Sequence, residues 1–229
     1  MKHIIFITLF AFCAAPLTLQ AHPLQQDRLN AAVAHAAAAN DDYWTTPDAY
    51  GTPLIIKLAR QGNISALQSL TQYPLSGKFL LVTDPYGSNI LHVAKNADTV
   101  QALALLLRHF YGPKATQKIT QLANATNKLG ERPLNAQVNA AHADTFRPIY
   151  AYTALKQKND AARNRLSRLR GTNEAIFAQN KAIYCADIQA ESSANGITLL
   201  QAAQAQAAYH PHMGAFAHKL AGLIPCLAD

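Results

Sequence analysis

Glutamate is almost missing from this chain: three residues among 229, at positions 131, 174 and 191. With acids so few and scattered, the paired carboxylates of general acid–base chemistry have little to draw on. Cysteine is equally scarce, and three residues cannot build a disulfide-dense mini-scaffold. The ten glycines show no three-residue period, which excludes collagen. After the first 21 residues no run approaches 18 apolar residues, so no integral membrane span is expected beyond them. There is no Gly-x-Ser-x-Gly, no His-Glu-x-x-His, no Gly-rich phosphate loop and no Cys-x-x-Cys. These absences point away from an enzyme, and no cofactor is expected. What the chain does have is a 50% apolar composition, enough for a substantial core in one large domain or two small ones.

The start of the chain carries an address. Lys2 and His3 precede the apolar run Ile4 to Phe12, and a small residue, Ala21, stands at the expected cut. That order describes a secretory signal peptide over 1–21; an uncut anchor is the rival, but the run is short for a span. A periplasmic or secreted location follows, and export removes nucleic acid as the expected partner of so basic a chain. Cleavage takes Lys2 and Cys13 with it, leaving a net charge of +6 and two cysteines, Cys185 and Cys226. In an oxidising compartment such a pair reads as one disulfide, whose loop closure would stabilise by about 4 kcal/mol. Two buried free thiols are the alternative.

Residues 24–40 read as a helix ended by Asn40-Asp41-Asp42, and Ala-rich helical patterns recur to the C-terminus with almost no strand signal. Aligned on glycine, the helices repeat. Gly51-Thr52-Pro53-Leu54 leads to Ala66, Leu67 and Leu70; Gly87-Ser88-Asn89-Ile90-Leu91-His92-Val93-Ala94 leads to Ala102, Leu103 and Leu106. Gly130-Glu131-Arg132-Pro133-Leu134 leads to Phe146 and Ile149, and Gly196-Ile197-Thr198-Leu199 opens a fourth segment. The first three agree in register from the glycine to the second apolar helix. Glycine permits a positive φ at the turn before each helix, and Pro53 and Pro133 suit a first helical turn. One such helix pair cannot cover its own apolar face, so pairs must stack.

These segments resemble the ankyrin-repeat family, whose repeat has a glycine two residues before Thr-Pro-Leu-His-x-Ala. Gly87 to Ala94 is the nearest match, and Asp48-Ala49-Tyr50-Gly51 and Asp84-Pro85-Tyr86-Gly87 repeat the acid that often opens the family's turn. Leu58 and Gln137 depart from the family alanine, and Pro148 lies where a third outer helix should be. Glycine spacings of 36, 43 and 66 residues exceed the family period. The expected fold is therefore an all-α, ankyrin-type solenoid of about four helix-turn-helix repeats, near 48–80, 84–110, 127–150 and 193–224. Residues 151–190 hold an inserted or degenerate helix pair, and the 24–40 helix and the 212–225 segment cap the ends.

The resemblance implies a non-catalytic protein-binding module with a protein partner, an acidic one suiting the charge. An immunity protein neutralising a secreted toxin, a host-directed effector and a His-based metal-binding protein are the alternatives. In this family the turns project along a binding surface, which makes Trp44, Tyr50 and Tyr86 candidate contacts, with Lys128, Arg163 and Arg170 as charged ones. The last two belong to a basic cluster running from Lys156 to Arg170, whose plainer reading is a solvated helix face. His92 holds the family's structural histidine position. His210, His212 and His218 are the only candidates for zinc or copper, apart from His22 at a cleaved N-terminus.

Overall fold

The computed structural model describes residues 41–169, 171 and 173–227. The expected signal segment, the expected helix over 24–40 and Arg170 lie outside them. Among the described residues the fold is all-α, with two isolated β-bridges, Pro47 to Pro53 and Ala194 to Ile197, and no strand.

The first unit shows how local chemistry shapes the rest. Helix α1 (Asp41–Thr45) precedes α2 (Leu54–Gln61), which ends at Gly62 in the left-handed region, its N–H returning to the carbonyls of Leu58 and Ala59. Asn63 then N-caps α3 (Ile64–Ser69), its side chain accepting from the Ala66 N–H. A one-residue reversal followed at once by a cap folds α3 back against α2. In the third unit, α6 (Pro133–Asn139) and α7 (Phe146–Tyr150) are joined through Ala141 at φ +59°, which takes the place of Gly62, and a 3-10 turn over Ala143–Thr145 stands where the first unit has its cap.

The second unit departs from expectation. Its first helix, expected near residues 90–94, is a single turn, and α4 (Ala97–Tyr111) begins ten residues after its glycine where α3 begins thirteen after Gly51. Asn96 caps α4 through the Thr99 N–H, so the helix gains a turn at its N-terminus and uses up the link. The apolar register survives: Leu103 and Leu106 are as buried as Leu67 and Leu70. Helix α5 (Ala115–Asn124) then returns the chain to the third unit.

Two rows result. In one, α3 packs on α4 and α4 on α7; α11 (Pro211–Leu223) continues the row through Phe216, edge-on to Phe146 at 5.3 Å. In the other, the 90–93 turn is tied to α6 by Gln137, whose amide donates to the carbonyls of Leu91 and His92, both at 3.0 Å. Helix α10 (Leu199–Ala207) packs directly on α6. Residues 151–190 hold most of a helix pair, α8 (Ala154–Arg168) against α9 (Glu174–Ser192). Glu191 ties it down by pairing with Arg132 and with Lys158. The expected disulfide is formed between Cys185 of α9 and Cys226 beyond α11, with Cα atoms 4.8 Å apart. One continuous apolar core runs from Trp44 to Leu227.

A candidate binding edge built from repeated turns

Three turns share one construction. Asp48, Asp84 and Asn127 each open a turn, and in each the side-chain oxygen Oδ1 accepts two backbone N–H bonds, two and four residues on. The distances are 2.9 and 2.9 Å from Tyr50 and Thr52, 3.0 and 2.8 Å from Tyr86 and Ser88, and 3.0 and 2.9 Å from Leu129 and Glu131. The glycine N–H of each turn donates to the opening residue's carbonyl at 2.8, 2.9 and 3.0 Å, and the glycines sit at φ +77°, +75° and +75°. Only a short acceptor side chain can satisfy this geometry from within the loop. That is why an aspartate and an asparagine serve alike. The fourth turn is a two-residue hairpin over Asn195-Gly196, both at positive φ, as such a hairpin requires.

The turns lie side by side. The Lys128 N–H of the third donates to the Tyr86 carbonyl of the second at 2.8 Å, and Asn195 Nδ2 of the fourth donates to the Leu129 carbonyl of the third at 3.1 Å. The first meets the second so closely that a Cβ on Gly51 would stand 2.7 Å from Cγ of Pro85. Gly51, Gly87 and Gly130 thus line one edge, each against the turn that follows.

Side chains at the tips face solvent. Tyr50 is 86% exposed, Tyr86 66%, Leu129 60% and Ile197 53%. Exposed large apolar groups repeated along one edge are the kind of surface that a partner covers. Leu129 and Ile197 are additions to the sequence-derived set. Leu129 was findable: it directly precedes its glycine, as both tyrosines do.

His92 locks two of these turns together from beneath. Its Nδ1 accepts the Asn89 N–H at 3.2 Å and its Nε2 lies 3.0 Å from the Glu131 carbonyl, so the neutral ring with its proton on Nε2 satisfies both. Burial pushes its pKa below the ordinary imidazole value, with the carbonyl bond to Glu131 opposing. Asp48, half-buried and paired with Lys57, has its carboxyl held below the usual range by that ammonium and by the turn N–H groups.

Other expected contacts fall elsewhere. Trp44 is fully buried, ringed by Tyr43 and Phe79, so it is a core residue and not part of the edge. An indole flanked by that much apolar surface is stabilised inside, whatever its nearness to a turn. Lys128 is exposed at the third turn. Arg163 lies away from the edge, its Nη2 donating to the Leu223 carbonyl at 2.5 Å and so covering the C-terminus of α11. Three more of the basic cluster are engaged: Lys156 with Asp160, Lys158 with Glu191, and Arg165 over the Tyr184 ring. Pro211 opens α11 and does not break it, and His212 Nε2 is bonded to the Ala141 carbonyl at 2.9 Å. The His210 and His212 rings stand 5.8 Å apart, and among the described residues no three His, Cys, Asp or Glu side chains converge on a metal position.

Comparison with protein-family models, with curated proteins and with solved structures gives no match for this chain.

Proposed function

We propose that the chain is an exported, ankyrin-type repeat protein that works without catalysis, gripping a partner protein along the edge of stacked turns. The observation that carries this reading is the row of solvent-facing side chains: Tyr50, Tyr86 and Leu129 on three turns of common construction, with Ile197 on the hairpin beside them. Tyrosine is a favoured anchor because it brings large area with little rotamer freedom to lose. A preformed edge, already hydrogen-bonded turn to turn, also lowers the ordering cost of association. The Cys185–Cys226 bond supports the exported location, since structural disulfides persist in oxidising compartments.

Affinity capture from a native extract identifies the partner, and titration with that purified partner then tests the edge. Tyr50→Ala with Tyr86→Ala should weaken binding by about thirtyfold or more, taking each anchor as worth roughly 1 to 2 kcal/mol. Thermal unfolding should stay nearly unchanged, because both rings are exposed. Lost stability with unaltered affinity would make the tyrosines packing residues and overturn the assignment.

A further inference from the structure

The third unit leaves a gap in the row of second helices. Helix α7 has five residues where α4 has fifteen and α11 thirteen, and Pro148 lies within it. The chain departs into α8 soon after Tyr150. A groove of about 550 Å³ fills the space, floored by Phe146, Tyr150, Phe216 and Leu223. That volume is within the range typical of small-molecule sites.

Its charge is one-sided. Of ten residues lining the groove, three are cations and none is acidic. Arg147, Lys156 and Lys219 come from three different helices, α7, α8 and α11. Lys156 is paired with Asp160, whereas Arg147 and Lys219 have no carboxylate partner among the described residues. The Tyr150 hydroxyl accepts from Asn159 Nδ2 at 3.0 Å, which keeps its own proton available as a donor. An aromatic floor under unpaired cations is complementary to a molecule with an apolar tail and an anionic head.

We propose that this groove binds a single-chain amphiphile with a carboxylate head, of the fatty-acid class. The tail lies over Phe146, Phe216 and Leu223, and the head meets Arg147 and Lys219. The site is separate from the turn edge and does not depend on the partner-binding role proposed above.

Isothermal titration of the full chain with octanoate, decanoate and dodecanoate, each below its micelle concentration, tests this. One ligand should bind per chain, tightening by about three- to fourfold for each added methylene until the groove is full. Arg147→Glu with Lys219→Glu, both on exposed positions, should weaken decanoate by about tenfold or more while leaving decanol within about twofold. Leu223→Glu, which leaves both cations in place, should weaken acid and alcohol together. Tyr50→Ala with Tyr86→Ala should bind decanoate as the parent does, which separates failure here from failure of the edge. Absence of saturable binding, several ligands per chain, or equal affinity for acid and alcohol unaffected by charge reversal would each overturn the proposal.

Discussion

His92→Ala offers the most direct probe of how the units are held together. The ring is 5% exposed and makes two bonds, one within its own turn and one to the next. The Glu131 carbonyl keeps a second partner, the Asn127 N–H at 2.9 Å, so its loss is mild. The Asn89 N–H has no such reserve and is left buried and unpaired, at a cost of about 1–3 kcal/mol. Adding the void left by the ring, the total should come to about 3 kcal/mol, a fall in Tm of roughly 6–12 °C for a domain of this size. His92→Gln separates the hydrogen bond from the titration, since an amide can donate and accept but does not ionise. In the unfolded chain the imidazole takes a proton below its ordinary pKa of about 6.5, whereas burial keeps the folded ring neutral. The unfolded state then binds more protons, so stability falls as pH drops below that value and on toward the lowered folded one. Urea unfolding of parent and His92→Gln at about pH 8 and about pH 5 should show the parent losing up to about 2 kcal/mol more. Parallel pH profiles for the two proteins would refute the buried, neutral assignment.

Three further perturbations have definite outcomes. Gly51→Ala should destabilise more than Gly130→Ala: both meet a positive φ worth roughly 1–2 kcal/mol, but a Cβ at Gly51 also collides with Pro85 while at Gly130 its nearest neighbour is Asn195 at 3.5 Å. Paired calorimetric scans check the order. Cys185→Ser with Cys226→Ser should lower stability by up to about 4 kcal/mol, measured by denaturant titration, with added reductant reproducing the change in the parent. Glu191→Gln removes the ion pairs to Arg132 and Lys158, leaving the Arg132 bond to the backbone carbonyl of residue 191, and should cost about 1 kcal/mol at low salt, less at high salt, in the same assay.

Much of this arrangement could be seen in the residues themselves. Glycine, a short acceptor three residues before it and two small apolar helices after it are local requirements, so Asp48, Asp84 and the glycines announced the turns directly. His92 was legible only through the family resemblance, since its bond to the Glu131 carbonyl spans 39 residues. Trp44 was not: proximity to a turn says nothing about which way an indole points, and burial against Phe79 is decided by packing at a distance of 35 residues. The missing helix at 90–94 escaped for a related reason. The apolar spacing there fits helix or turn alike, and Asn96 capping α4 early decided between them. Gln137 looked like a departure in the sequence, yet its buried amide cross-links two units. Hydrogen bonds of that kind depend on the assembled backbone and have no one-dimensional signature.

The disulfide also gives the molecule a direction. In the repeat array proposed above, each layer is held chiefly by its neighbours, so opening starts at an end. At one end Cys226 is stapled back to α9, and that helix is itself fastened to the third layer through Glu191. At α1, the first described helix, there is no covalent tether among the described residues. Heat, denaturant or a pulling force should therefore peel the protein from the Trp44 side first. A protease would make its earliest cuts there, and the closing layers would be the last to let go.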